Sequence, residues 1–229
     1  MKIGYIQKSS LIDYPGKVSA VIFTRGCNFR CPYCHNPELV DGSSFSDLFS
    51  EDELFSLLPR RKGLLDGVTI TGGEPTLQPD LIPFMRKIKD LGFLVKLDTN
   101  GSCPDVLAEA VDGGLVDYIA MDVKAPLAKY HEAAGRHIDT GAVGGSIGIV
   151  TGSEVAYEFR TTLVSRLLST DDVIEIGHMI KGASCYALQR FVLSKHLDQA
   201  YMKAETFTEE EISGLAEKLK PLVGRCIVR

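Results

Sequence analysis

The sequence has little that would tie it to a membrane or to nucleic acid. No apolar run approaches the roughly 18 residues needed to cross a bilayer, and the N-terminus lacks a signal-peptide pattern. A cytoplasmic protein is expected. No basic run accompanies the net charge of −5, which disfavours a nucleic-acid partner. Internal repeats, low-complexity tracts and linker-like stretches are also missing, so residues 1–229 read as one domain. His131, His137, His178 and His196 are scattered, and no Ser-His-Asp set offers itself for nucleophilic catalysis. Cysteine is sparse outside a single loop: Cys103, Cys185 and Cys226 are singletons, so no second local set can complete a four-sulfur zinc site.

What is present is the stretch Gly26-Cys27-Asn28-Phe29-Arg30-Cys31-Pro32-Tyr33-Cys34-His35-Asn36. Three closely spaced thiolates suit a [4Fe–4S] cluster with one iron left for an outside ligand. Gly26 permits close approach of backbone, while Pro32 and Pro37 oppose helix. Two other readings fit the same residues: a Cys3His zinc site completed by His35, or reduced cysteines with no ligand.

Along the chain, residues 1–16 form an N-terminal ribbon in which Ile3, Tyr5 and Gln7 alternate along one face. Val18 to Thr24 reads as a buried strand that delivers the chain into the cysteine loop at 26–36. Ser50 before Glu51-Asp52-Glu53 caps a helix to about Arg61. Strands follow at Gly67–Thr71, Phe93–Asp98, Tyr118–Lys124, Tyr157–Val164 and Cys185–Leu193. Helices are expected at Asp80–Leu91, Pro104–Val111, from about Leu127, at Ser169–Ile180 and at Thr208–Leu222. Six βα units in series imply an α/β fold, a partial (βα)6 TIM-like barrel with parallel strands. Glycines 141, 144, 145, 148 and 152 disfavour a regular helix there, at about 1 kcal/mol per interior glycine, so a short or mobile one is expected over the substrate opening. Residues 195–229 comprise a loop and a closing helix.

Functional groups of such barrels sit at the C-terminal ends of strands. Those ends carry Gly72-Gly73-Glu74-Pro75, Asp98-Thr99-Asn100-Gly101, Asp122-Val123-Lys124, then Glu158, Arg160 and Thr162, then Gln189 and Phe191. Alternation puts Lys96 with Asp98, and Asp122 with Lys124, on common faces. Glu74, Asp98, Asp122 and Glu158 against Lys96, Lys124 and Arg160 leave one negative charge in excess, room for a cation.

The Cys-x3-Cys-x2-Cys loop, the Gly-Gly-Glu-Pro turn and the partial barrel together resemble the radical S-adenosylmethionine enzymes, over nearly the whole chain. Arg30 to Asn36, Asp98 to Gly101 and Asp122 to Lys124 resemble activating enzymes of glycyl-radical proteins. Ser10 to Lys17, Tyr157 to Thr162 and Leu188 to Phe191 look most like the longer form of the anaerobic ribonucleoside-triphosphate reductase activating protein.

The resemblance implies that Cys27, Cys31 and Cys34 bind a [4Fe–4S] cluster whose fourth iron is chelated by S-adenosylmethionine. It also implies that Tyr33 and His35 border the adenine, and that Gly72, Gly73 and Glu74 receive the methionine ammonium. Lys124 and Arg160 would contact the carboxylate; Asn100 and Thr162 would contact ribose or carboxylate; Asp98, Thr99 and Asp122 would hold a monovalent cation. The implied reaction is reductive cleavage of the sulfonium, with hydrogen abstraction from a backbone glycine of a partner. A flavodoxin- or ferredoxin-type electron donor is the expected partner for that reduction. The alternatives are an activase of the pyruvate formate-lyase type, a small-molecule enzyme such as 7-carboxy-7-deazaguanine synthase, and a non-catalytic zinc-binding module.

Overall fold

The computed structural model describes residues 1–41, 49–193, 198–203 and 206–229. Strand β1 (Ile3–Ser10) pairs antiparallel with β2 (Ser19–Thr24). From β2 the sheet is parallel through β3 (Gly67–Gly72), β4 (Leu94–Thr99), β5 (Tyr118–Asp122), β6 (Ala156–Leu163), β7 (Tyr186–Arg190) and β8 (Cys226–Val228). The order in space is the order in the chain. Helices α1 (Pro37–Asp41) and α2 (Glu51–Leu57) precede β3; α3 (Leu81–Asp90) and α4 (Pro104–Asp112) precede β4 and β5. Helices α5 (Tyr130–Ala134) and α6 (Thr140–Gly152) precede β6, with α7 (Thr170–Met179) and α8 (Glu209–Leu219) before β7 and β8. The six βα units expected from the sequence are thus β2 to β7 with their helices.

Two faces with opposite chemistry organise the sheet. Ile22, Ile70, Leu97 and Ile119 are register partners on successive strands and none has exposed surface. Each such aliphatic side chain contributes about 2 kcal/mol when taken out of water. The alternate face carries the polar residues: Thr69, Lys96 and Tyr118 follow Val21 on one rung, and Asp122 pairs in register with Arg160. Side chains from β3 to β7 on this second face line a single cavity, so the sheet curls around it as a partial barrel.

Four expectations are corrected. The glycine-rich segment is a regular helix, α6, from Thr140 to Gly152. Its glycines fall on the exposed side, while Val143, Ser146, Ile147 and Val150, spaced i, i+3, i+4, i+7, are buried. Asp139 accepts from the amides of Gly141 and Ala142, and Ser146 Oγ donates to Gly101 O at 2.8 Å, so tertiary contacts outweigh propensity. In β1 the register shifts between Ile3 and Tyr5, which buries Ile3 and Ile6 and leaves Tyr5 half exposed; the Ile3-Tyr5-Gln7 face is broken. Strand β7 stops at Arg190, because Phe191 turns to pack on His35 with ring centroids 6.0 Å apart. Strand β8 was not expected; its three residues are too few for a periodic signal. The first part of the 195–229 segment and His196 lie outside the described residues; Gln199–Lys203 is a 3-10 turn and Thr208 caps α8 with a full capping box.

Candidate active site at the cysteine loop

The loop after β2 is held from three sides. Gly26, at φ +90°, donates its amide to Leu39 O at 2.8 Å and accepts from Glu74 N at 2.9 Å. A Cβ on Gly73 would stand 2.1 Å from Gly26 O, so the loops after β2 and β3 touch where only glycine fits. Arg30 donates its backbone amide to Ala134 O at 2.7 Å and its guanidinium to the carbonyls of Cys27 and Phe29. On the far flank Pro32 O accepts from Asp198 N at 3.0 Å, and His35 Nε2 lies 3.1 Å from Val192 O.

These contacts shape a cavity of about 300 Å³. Every residue given a cofactor or metal role by the resemblance lines it: Cys27, Cys31, Tyr33, Cys34, His35, Gly72, Gly73, Glu74, Asp98, Thr99, Asn100, Asp122, Lys124, Arg160 and Thr162; Lys96, Glu158 and Phe191 do not. Phe29, Asn36, Val40, Thr71 and Gln189 complete the wall. Gln189 was marked by its strand end, whereas Phe29 and Val40 carry no chemical signal beyond apolarity. Cys103, Cys185 and Cys226 lie outside this wall, and His131 stacks on His137 at 4.5 Å elsewhere.

The charged groups form a chain across three strands. Lys96 pairs with Asp98, Asp98 with Arg160 Nη1 at 3.3 Å, Arg160 Nε with Asp122 at 2.8 Å, and Asp122 with Lys124 at 3.3 Å. Burial disfavours every charge here, but Arg160, with Lys96 on one side and Lys124 on the other, holds Asp98 and Asp122 below the usual carboxylate range. Burial lowers Lys124, but Asp122, Cys31, Tyr33 and Tyr130 together outweigh it and push the ammonium well above its usual value.

Glu74 is different: burial pushes it up, and its carboxylate is already engaged by Thr76 N, Thr76 Oγ1, Thr99 Oγ1 and Asn100 N. It fastens the β3 loop to the β4 loop, and the Thr99 hydroxyl points to it rather than to Asp98.

Glu158 departs from the expected tally. It sits at the opposite end of the same face, bound to Arg229 at 2.6 and 2.7 Å and to the Tyr118 hydroxyl at 3.1 Å. Its position early in β6, not at the strand's C-terminal end, sends it there. Glu74, Asp98 and Asp122 then face Lys96, Lys124 and Arg160, and the one-charge excess disappears.

The model of the radical SAM superfamily matches residues 21–143, more than half of the chain. The chain belongs to the radical SAM superfamily. A relative from Methanocaldococcus jannaschii, named as a candidate glycyl-radical enzyme activating enzyme, is 35% identical over 96% of this chain and 92% of its own length. The pyruvate formate-lyase-activating enzyme of Clostridium pasteurianum is 39% identical over 44% of this chain and 43% of its own. Among solved structures, Streptococcus suis SuiB bound to S-adenosylmethionine superposes with TM-score 0.67 at 14% identity, over 91% of this chain and 49% of SuiB. The enzyme anSMEcpe with bound AdoMet gives 0.61 at 16%, over 89% and 61%. Both likenesses concern the fold, and they match the curled parallel sheet described above.

The site's donors suit what this radical SAM family implies, a [4Fe–4S] cluster with S-adenosylmethionine. Burial pushes the Cys27 thiol up to about 12, with the Glu74 charge adding to it, and Cys31 up to about 11. Cys34 is raised by burial as well. Coordination to a cationic iron would reverse that penalty for all three thiols, since a metal-bound thiol is held deprotonated. Among the described residues no three His, Cys, Asp or Glu side chains converge on a point that would hold one metal ion. No helix of the described residues is long and apolar enough to cross a membrane.

Proposed function

We propose that this radical SAM chain is an activase that installs a glycyl radical on a partner protein, most specifically an anaerobic ribonucleoside-triphosphate reductase. The full-length likeness to the M. jannaschii relative carries the glycyl-radical part. The choice of reductase rests on the softer resemblances at Ser10–Lys17, Tyr157–Thr162 and Leu188–Phe191. The second reading, an activase of the pyruvate formate-lyase type, is favoured by the C. pasteurianum relative, which matches less than half of either chain.

Cys27, Cys31 and Cys34 would hold the cluster. When bound, it and S-adenosylmethionine supply the one-electron reduction and the carbon radical that takes a hydrogen atom. This chain's own residues bind and orient. Lys124 and Arg160 present cationic donors to a ligand carboxylate, and their pairing to Asp98 and Asp122 keeps both side chains pre-aimed. The carbonyls near Gly72 and Gly73 accept from an ammonium, a role Glu74 serves by fixing the turn rather than by its own engaged oxygens. Tyr33 and His35 line the adenine side. Phe29 and Val40 keep water from the wall. Asp98, Thr99 and Asp122 would be the hard oxygen donors for a monovalent cation, but the Thr99 hydroxyl is turned to Glu74 and both carboxylates are already neutralised by Lys and Arg, so the proposal does not require one. Reduced thiols suit the cytoplasm, and a flavodoxin- or ferredoxin-type donor completes the system.

Anaerobic reconstitution with iron and sulfide tests the reading. A brown protein with about four irons is expected, and Cys31→Ala should lose the cluster absorbance while its circular dichroism stays native. Mixed with S-adenosylmethionine, a reductant and the reductase, the wild type should give a glycyl-radical EPR doublet. A doublet only on pyruvate formate-lyase selects the second reading. A colourless protein holding one zinc sinks both.

A further inference from the structure

A closed ring of hydrogen bonds ties the cysteine loop to the loop after β4. Asn100 Oδ1 accepts from Ser102 N at 2.9 Å, and Asn100 Nδ2 donates to Asn28 Oδ1 at 3.0 Å. Asn28 Nδ2 donates in turn to Ser102 Oγ at 2.8 Å. The Ser102 amide can only donate, so the oxygen of the Asn100 side chain must face it. That choice fixes the rest: the Asn100 –NH2 faces Asn28 Oδ1, which leaves the Asn28 –NH2 for Ser102. The Asn100 backbone amide is anchored independently on Glu74 Oε2 at 2.7 Å.

One Asn100 N–H serves Asn28. The same nitrogen lies 4.0 Å from Cys27 Sγ, which also receives the Phe29 amide at 3.3 Å. Asn100 is 5% exposed, so water does not compete well for that second N–H.

We propose that Asn100 is a tuning residue: its side-chain amide donates to the Cys27 sulfur in the cluster-loaded protein, with Asn28 and Ser102 as the positioning residues that aim it. An N–H donated to a cluster sulfur stabilises the more negative, reduced state, so this contact raises the cluster's reduction potential. The inference rests on the reading of Cys27 as a cluster ligand, and it differs from a contact with ribose or carboxylate because it acts with no S-adenosylmethionine bound.

The test is a spectroelectrochemical titration of anaerobically reconstituted protein without S-adenosylmethionine, with the reduced cluster read by EPR. Asn100→Ala removes the donor. Asn100→Asp keeps the acceptor for Ser102 N but replaces the donor by a charge. Asn28→Ala leaves Asn100 in place without its aim. Both Asn100 variants should titrate at more negative potential, with the reduced-to-oxidised ratio at fixed potential lower by up to about tenfold for Asn100→Ala. Asn28→Ala should shift the same way by less, and iron content should match wild type. Unchanged potentials in cluster-loaded variants overturn the proposal. So does loss of the cluster from all three while circular dichroism stays native, since the ring would then serve loading rather than tuning. A wild type that takes up no cluster sinks the earlier reading of Cys27 instead.

Discussion

The inner face of the sheet carries two polar clusters, each pairing carboxylate with arginine. At the cavity, Lys96, Asp98, Arg160, Asp122 and Lys124 alternate in sign along three strands. At the other end, Glu158 is closed off by Arg229 and Tyr118. Only the first reaches the cavity wall, through Asp98, Asp122, Lys124 and Arg160. Glu158 and Arg160 are two residues apart on one face of one strand, about 7 Å along it, and they belong to different assemblies. Composition does not distinguish a binding site from a plug; height along the strand does.

Removing the arginine from each cluster should separate them. Arg160→Leu leaves Asp98 and Asp122 facing each other and should cost about 3–5 kcal/mol by denaturant unfolding. It should also weaken S-adenosylmethionine binding by calorimetry. Glu74→Gln puts an amide –NH2 or oxygen where only an acceptor pair satisfies four donors, and should cost about 1–3 kcal/mol. Arg229→Leu should cost about 1–2 kcal/mol, because Tyr118 still donates to Glu158, and should leave S-adenosylmethionine affinity within twofold of wild type. An equal loss of affinity in both arginine variants would break the distinction.

Acid sharpens it further. Asp98 and Asp122 titrate below the usual carboxylate range, so their stabilisation is present above about pH 4 and is lost as pH falls through their lowered values. Thermal scans should show a falling Tm below about pH 4 that is shallower in Arg160→Leu. The smallest effect is expected away from both clusters: Gly144→Ala on the exposed side of α6, where a Cβ meets nothing within 4 Å, should stabilise by up to about 1 kcal/mol.

The parallel strands and the cavity's chemical lining were legible because both follow short-range rules. A short apolar, β-branched run marked β2, caps such as Ser169 and Thr208 marked helix starts, and strand ends brought most of the expected residues to one place. What could not be read depends on partners far along the chain. The burial of α6 by its Val143-Ile147-Val150 stripe was masked by glycines on its other side. The link between Glu158 and Arg229 spans 71 residues, and no local pattern reports it. Asn28 sat inside the most conspicuous motif of the chain, yet its role needs Asn100 and Ser102 beside it.

Because the sheet's spatial order repeats the order of the chain, each strand can dock against the one made before it. The thiols on the second strand's loop therefore emerge from the ribosome long before Lys124 and Arg160, which later wall them in. During that interval the topology leaves the three thiols without the two cationic side chains that later share their cavity.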